Sequence, residues 1–228
     1  MTGRSAPRPL SRFSDAMQLS AVLLAGGESR RFGSDKAIMS FRGTPMWKRQ
    51  IQLLQSLAPA ELLVSARTDP AWRPSDARFV ADRPPSHGPL SGLVAAMAAM
   101  RGTHLLALAV DMPLMPRSCL QQMCDLISLG RGVVPYTGLR AEPLAAIYPR
   151  ESFPHLLKAL ELGELTLQTV AAKLVASGML LTIDVSPAEQ EFYRSINEPT
   201  DLASATAAAA AYLPQVNSNF FIRKTFNK

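Results

Sequence analysis

The sequence contains little cysteine and no long apolar run, and both shortages restrict the kind of protein it encodes. Its 228 residues include two cysteines, Cys119 and Cys124. Their spacing fits neither a CxxC redox pair nor a zinc knuckle, so we expect buried free thiols. Every apolar run is shorter than the roughly 18 to 20 residues that a membrane-spanning helix needs. We therefore expect no membrane-spanning segment.

The amino-terminal stretch MTGRSAPRPLSRFSDAM lacks the apolar core of a secretory signal. Together with the missing membrane helix, this predicts a cytoplasmic protein that does not bind membranes. The stretch is rich in Pro, Ser and Arg, which is typical of a mobile end.

The formal net charge of +6 could indicate nucleic-acid binding, so its distribution along the chain matters. Much of the excess lies in residues 1–16, which hold three arginines and one aspartate, and in residues 214–228, which hold one arginine and two lysines. The chain between them is close to neutral, which argues against a basic nucleic-acid-binding face. We predict one domain over residues 17–213, with mobile tails at 1–16 and 214–228.

Short apolar runs alternate along the chain with segments of helical period. The strand-like runs are LSAVLLA, ELLVSA, RFVAD, HLLALAVD, GVVPY, LAAIY and LLTIDV. Helical patterns cover about 44–57, 89–100, 116–129, 152–162, 167–177 and 199–212, with Pro89, Thr166 and Gly178 as start and stop signals. The alternation predicts an α/β fold: a single Rossmann-like three-layer α/β/α domain with a mostly parallel sheet.

The first strand-like run leads into the charged glycine loop LAGGESRRFGSDK. Gly26 and Gly27 let backbone N–H groups approach a base or a phosphate, and Arg31 and Lys36 supply positive charge. The loop is neither a Walker A sequence nor GxGxxG. The alternative is a plain turn followed by basic residues on a solvated face.

Two other strand-like runs end in a carboxylate. Asp111 follows the most apolar run and could hold Mg²⁺ against a triphosphate, because this ion takes one or two protein carboxylates and fills its shell with phosphate and water. The competing role is a helix cap, although Ser118 is a better cap candidate. Asp82 could be a cap, a ribose contact or a partner of the metal site. His87, in the loop that follows, fits an exposed polar residue better than a general base.

Five ordered motifs now support a family resemblance. LAGGESRRFGSDK resembles the LAGGxSxRxGxDK signature of the nucleotidyltransferase family that contains molybdenum cofactor guanylyltransferase. VADRPPSHGPLSGL resembles its D-x(n)-GPLAG segment and VDMPLMP its CDTPFLP. AEPLAAIY resembles EPLFALY, and FYRSINEPTDL resembles FxNINTPEDL. The resemblance runs from about Ala21 to Leu202, and it implies the nucleotidyltransferase version of the predicted fold.

The resemblance also implies a reaction: transfer of GMP from GTP to molybdopterin, with release of pyrophosphate and with Mg²⁺ as cofactor. It places the guanine at Leu24, Ala25 and Gly26, and Gly27 is a further predicted nucleotide contact. Arg31, Lys36 and Asp111 become the catalytic residues, with Lys36 at the phosphates, Asp82 at the nucleotide and Asp111 on the metal. No Ser-His-Asp set is needed, because displacement at phosphorus depends on positioning and charge neutralisation.

Two positions depart from the family pattern. Ser65 stands where members can carry a nucleotide-contacting Asn, and Ser195-Ile196-Asn197 replaces Asn-x-Asn. We keep Ser65 and Asn197 as predicted substrate contacts, although serine has the shorter reach.

These departures leave two alternatives open. One is a CTP-dependent cytidylyltransferase, whose relatives carry LAAG at the loop. The other is a nucleotide-binding protein that hands over the cofactor without catalysis. We expect a monomer whose partners are GTP, molybdopterin, and the acceptor molybdoenzymes or their chaperones.

Overall fold

The computed structural model describes residues 17–26, 36–82, 88–163, 166–196, 201 and 221–222. The strands in this part of the chain are β1 (Leu19–Leu24), β2 (Ser40–Phe41), β3 (Thr44–Pro45), β4 (Glu61–Ala66), β5 (Ala77–Ala81), β6 (His104–Ala109), β7 (Gly132–Thr137), β8 (Arg140–Ala141), β9 (Ala145–Pro149), β10 (Leu180–Asp184) and β11 (Phe221–Ile222). The helices are α1 (Met46–Gln55), α2 (Pro89–Ala99), α3 (Arg117–Leu126), α4 (Phe153–Glu161) and α5 (Leu167–Ala176). All seven predicted strands and the first five predicted helices are present. The helix predicted over 199–212 lies outside the described residues except for Asp201.

The main sheet has the order β11-β10-β7-β9-β6-β1-β4-β5, with β8 paired to β7. Strand β1 runs parallel to both β4 and β6, β4 runs parallel to β5, and β10 runs parallel to β7. Strand β9 runs antiparallel to β6 and β7. The mostly parallel sheet is confirmed, and the antiparallel strand in its middle is an addition that the sequence pattern did not predict.

Helices cover both faces of the sheet and make two apolar layers. Helices α1 and α3 pack with Leu19, Ala21 and Leu23 of β1 on one face. Helices α2, α4 and α5 pack on the other face with Val22 and Leu24. Alternate side chains of β1 therefore enter opposite layers, which explains why its sequence is apolar throughout. The three-layer α/β/α prediction is confirmed.

The helix boundaries follow the expected chemistry with one exception. Pro89 is the first residue of α2, the Thr166 hydroxyl accepts a hydrogen bond from the backbone N–H of Thr169 (3.4 Å), and Gly178 has φ +77° after α5. The prediction that Ser118 caps α3 is wrong. Helix α3 begins at Arg117 and its N-cap position is Pro116, so Ser118 lies within the first turn.

Strand β11 lies within the predicted carboxyl-terminal tail. Its Ile222 pairs with Ile183 of β10 in an antiparallel arrangement. The remainder of 214–228 and all of 1–16 lie outside the described residues, so the tail boundaries stay predictions. Among the helices that the structure describes, none has the length and apolar character to cross a lipid bilayer.

Candidate active site

The carboxyl ends of β1, β4, β5 and β6 meet at one edge of the sheet, because these neighbouring strands are parallel. Two backbone hydrogen bonds tie this edge together. The N–H of Ala25 donates to the carbonyl of Ser65 (2.9 Å), and the N–H of Val110 donates to the carbonyl of Leu24 (3.1 Å). The edge of a parallel sheet from which loops lead to helices is where ligands bind in such folds.

Gly26 lies directly against the carboxylate of Asp82. A Cβ atom at Gly26 would be 3.3 Å from Asp82 Oδ2 and 3.8 Å from the Cα of Ala66. The φ angle of Gly26 is not in the positive range, so the close approach of the carboxylate, and not the backbone conformation of the glycine, restricts this position. Asp82 is 3% exposed, and it follows β5 at the same edge. The structure therefore brings these two predicted site residues into contact.

Ser65 is buried under α2. Its exposed fraction is 1%, and a Cβ atom at Gly92 would be 2.9 Å from its Oγ. Within the part of the chain that the structure describes, this hydroxyl has no hydrogen-bond partner. Its backbone carbonyl holds Ala25, as given above, so Ser65 supports the loop from below. Its predicted role as a substrate contact stays a prediction.

Lys36 and Asp111 form an ion pair at the end of β6, although 75 residues separate them in the sequence. The distance from Lys36 Nζ to Asp111 Oδ2 is 3.4 Å, and each side chain is about one fifth exposed (19% and 20%). Burial raises the pKa of the Asp111 carboxyl, and attraction by Lys36 and a hydrogen bond from Ser195 only partly offset that rise. Asp111 does not cap α3, whose N-cap position is Pro116.

The backbone that follows Asp111 is fixed by contacts that the sequence patterns did not reveal. The carbonyl of Asp111 accepts a hydrogen bond from the N–H of Ile196 (2.8 Å). The side chains of Gln50 and Arg49 on α1 donate to the carbonyls of Met112 and Pro113, each at 2.5 Å. Gln50 is fully buried, and a glutamine on the apolar face of α1 was the available signal for such a contact.

A cavity of about 750 Å³ opens beside Asp111. Met112 and Ser195 line it at the Asp111 end, and the loop before β9 and the start of α5 line it further away. The N–H of Ala109, in β6, donates to the carbonyl of Leu144 (2.9 Å), which joins the two parts of the wall. Polar side chains facing this cavity include Thr137, Arg140, Glu142, Gln168, Glu191 and Arg194.

Three predicted site residues, Gly27, Arg31 and Asn197, lie outside the described residues, as does His87. Their placement stays a prediction. The two cysteines are buried and are not joined in a disulfide, as expected.

Solved structures with the same three-layer fold include proteins titled as nucleotidyl transferases or cofactor biosynthesis proteins. The protein titled molybdopterin-guanine dinucleotide biosynthesis protein A from Archaeoglobus fulgidus superposes with a TM-score of 0.65 at 19% identity, covering 84% of this chain and 99% of that one. A nucleotidyl transferase from Methanothermobacter thermautotrophicus superposes with a TM-score of 0.66 at 17% identity, covering 85% and 98%. At these identities the likeness establishes the fold.

The sequence comparisons establish the family. Residues 21–177 match the MobA-like NTP transferase domain. A protein of Opitutus terrae named "Probable molybdenum cofactor guanylyltransferase" is 32% identical, over 82% of this chain and 94% of that protein. A protein of the same name from Chloroflexus aggregans is 31% identical, over 82% and 92%. The chain belongs to the MobA-like NTP transferase family.

Proposed function

We propose that this protein transfers GMP from GTP to molybdopterin and releases pyrophosphate. The observation that carries the proposal is the Lys36–Asp111 pair at the end of β6, between Gly26 and Asp82 on one side and the cavity on the other. The relatives named molybdenum cofactor guanylyltransferase, which the chain matches over more than nine tenths of their length, support the choice of substrates.

The residues at this edge fit Mg²⁺ that arrives with a nucleotide. In the described part of the chain no three His, Cys, Asp or Glu side chains are grouped so that they could hold an ion by themselves. Asp111 offers a single carboxylate that is partly buried and faces the open edge of the sheet. One carboxylate combined with substrate phosphates is a usual way of binding Mg²⁺. The bound ion would neutralise charge that develops on the departing pyrophosphate.

The protein's own contribution is to position two anionic substrates. The Lys36 ammonium is held at this edge by Asp111, 3.4 Å away. When a nucleotide binds here, the flexible side chain turns towards its β- and γ-phosphates. Gly26 and Asp82 form the wall against which the guanosine half of GTP lies. When the protein holds both reactants in line, the transfer step no longer carries the entropy cost of a bimolecular encounter.

The attacking group would be the terminal phosphate of molybdopterin. The second pKa of a phosphate monoester is about 6, so at neutral pH the group is largely dianionic and needs no protein base. One of its oxygens forms a bond to the α-phosphorus of GTP, and the bond from that phosphorus to the bridging oxygen of pyrophosphate breaks. This agrees with an edge at which a cation and a metal-binding carboxylate are the prominent groups.

The test is a product assay with the purified protein. It is incubated with MgCl₂, molybdopterin and one of GTP, CTP, ATP or UTP, and the dinucleotide is identified by mass. We expect the guanine product with GTP and at least about tenfold less product with the others. Asp111→Asn is the matched control, because it keeps the shape of the side chain and removes its charge.

Other outcomes separate the alternatives. A cytosine dinucleotide as the main product would contradict the choice of GTP and establish a cytidylyltransferase. Tight GTP binding without product, under conditions in which an authentic guanylyltransferase is active, would contradict catalysis and leave a cofactor-binding protein.

A further inference from the structure

Glu142 is a carboxylate that the transfer chemistry leaves without a role. It lies between β8 and β9 and faces the cavity beside Asp111. Its backbone is fixed on both sides: its N–H donates to the carbonyl of Pro135 (2.8 Å), and its carbonyl accepts from Ala145 (3.0 Å). Its side chain is fixed as well, since the Thr137 hydroxyl donates to Oε1 at 2.5 Å. A carboxylate held in this way has one orientation in the cavity wall.

This carboxylate is placed at an energetic cost. Burial raises the pKa of Glu142, and the Thr137 hydroxyl and the exposed Arg140 only partly offset that rise. Among the described residues, Thr137 is the one hydrogen-bond donor to the carboxylate, and it contacts Oε1. Oε2 keeps its capacity to accept hydrogen bonds. A ligand that offers a pair of N–H donors would satisfy both oxygens, because each can accept more than one hydrogen bond.

We propose that Glu142 determines acceptor specificity by accepting two hydrogen bonds from the 2-amino and N3–H groups of a pterin ring. The proposal rests on the proposed function, which makes a pterin the acceptor. The two donors of a 2-amino-4-oxopyrimidine edge lie side by side and match the two oxygens of a carboxylate, as the donors of arginine do. The side chain of Gln168 holds the backbone of Ala141, the residue next to Glu142, in both directions (2.7 and 3.1 Å), which further fixes this part of the cavity wall.

Guanine carries the same edge, so the topology has to decide between the two ligands. The sheet order places β6, and therefore Asp111, between two groups of strands. Gly26 follows β1, Ser65 lies near the end of β4 and Asp82 follows β5, all on one side of β6. Glu142 precedes β9, on the other side. With the α-phosphate at Asp111, the guanine and Glu142 lie on opposite sides of the reacting atoms, which leaves Glu142 to the acceptor.

Direct binding tests this assignment without any turnover. The probes are pterin and lumazine, which replaces the 2-amino group of pterin by a carbonyl, and binding is followed by quenching of their own fluorescence. We expect the full-length protein to bind pterin at least about tenfold more tightly than lumazine, equivalent to ~1.4 kcal/mol. In Glu142→Gln the preference should fall below about threefold, because the amide places an N–H against a ligand donor. GTP affinity should stay within about twofold.

Three further variants separate specificity from damage to the fold. Glu191→Gln is the matched control, since Glu191 is another carboxylate in the cavity wall and pairs with Arg194 (3.7 Å); it should keep the preference for pterin. Glu142→Asp keeps the charge but withdraws it by one methylene, and an intermediate preference is expected. Thr137→Val removes the hydroxyl that orients Glu142 and should weaken pterin binding with the melting temperature measured in parallel.

Several results would overturn the proposal. One is an equal affinity of the wild type for pterin and lumazine, and another is a preference for pterin that survives in Glu142→Gln. A third is a loss of GTP affinity in Glu142→Gln with pterin binding unchanged, because guanine would then be the ligand of Glu142. The proposed function fails separately. If Glu142-dependent pterin preference is observed but no nucleotide is transferred to molybdopterin, the acceptor site stands and guanylyl transfer falls.

Discussion

Replacing Asp111 by asparagine should abolish activity and stabilise the protein. The two side chains have the same shape, so the exchange removes a charge without opening a cavity. Because burial raises the pKa of Asp111, the charged carboxylate is held less favourably in the folded protein than in the unfolded chain. That balance already includes the attraction of Lys36 and the hydrogen bond from Ser195. The asparagine, which resembles the protonated acid, should therefore raise the melting temperature.

The loss of turnover and the change in stability have different physical causes. Turnover should fall at least on the order of 10² to 10³, the scale for losing one preorganised electrostatic group. The melting temperature in metal-free buffer should rise, because the uncharged amide costs less to bury than the carboxylate. The stabilisation by Asp111→Asn should depend on pH. A raised folded pKa gives stability that is present below the unfolded pKa and lost as pH rises through the folded pKa, so the advantage of the variant should shrink on acidification.

The assays are scanning calorimetry between pH 4 and 8 and product formation at saturating MgCl₂. GTP with Mg²⁺ should raise the melting temperature of the wild type and leave that of the variant nearly unchanged. A variant that melts at a lower temperature yet turns over at a near wild-type rate would refute the reasoning, since Asp111 would then be a structural residue. The conservative control is Asp125→Asn on the exposed side of α3, which should alter neither quantity.

Three further predictions concern other parts of the structure. Gly26→Ala should lower kcat/KM for GTP by at least about tenfold, ~1.4 kcal/mol, because the new Cβ would lie 3.3 Å from Asp82 Oδ2. Steady-state kinetics with GTP and CTP test this, and equal losses for both nucleotides would mean a general disturbance of the loop. Glu61→Gln should lower the free energy of unfolding at pH 7 by about 1 to 3 kcal/mol, because Glu61 accepts hydrogen bonds from Ser20, Arg78 and the backbone of Arg101. These contacts together outweigh burial and lower the pKa of Glu61. Urea titrations should therefore show the difference in stability shrinking as pH falls below about 4, and a difference independent of pH would contradict this account. Neither Cys119 nor Cys124 should react with a thiol reagent at pH 8 in the native state, since both are buried. Burial and, to a lesser extent, the charge of Asp125 raise the pKa of Cys124 to about 12. Rapid labelling without denaturant would disprove this prediction.

The elements of the fold and one edge of the site could be predicted from the amino-acid sequence. Strands buried on both faces must be apolar at every position, so runs such as LSAVLLA and HLLALA could be recognised without a partner. Helix boundaries at Pro89, Thr166 and Gly178 depend on the backbone chemistry of the residue itself. Asp111 and Asp82 were predictable because a carboxylate directly after a buried strand reaches the ligand edge of a parallel sheet.

Tertiary structure alone decided which residues meet. The apolar run Ala145–Pro149 fits a parallel strand as well as an antiparallel one. Only its pairing with β6 and β7 makes it antiparallel and brings Glu142 to the cavity beside Asp111. Gln50 is a polar residue among the apolar positions of α1, and only the fold shows that it binds the carbonyl of Met112, 62 residues away. Likewise, Ser65 is recognisable as a support for the loop only because β4 lies under α2. Local patterns record what each backbone segment and side chain needs, whereas contacts between distant segments depend on packing that no single segment encodes.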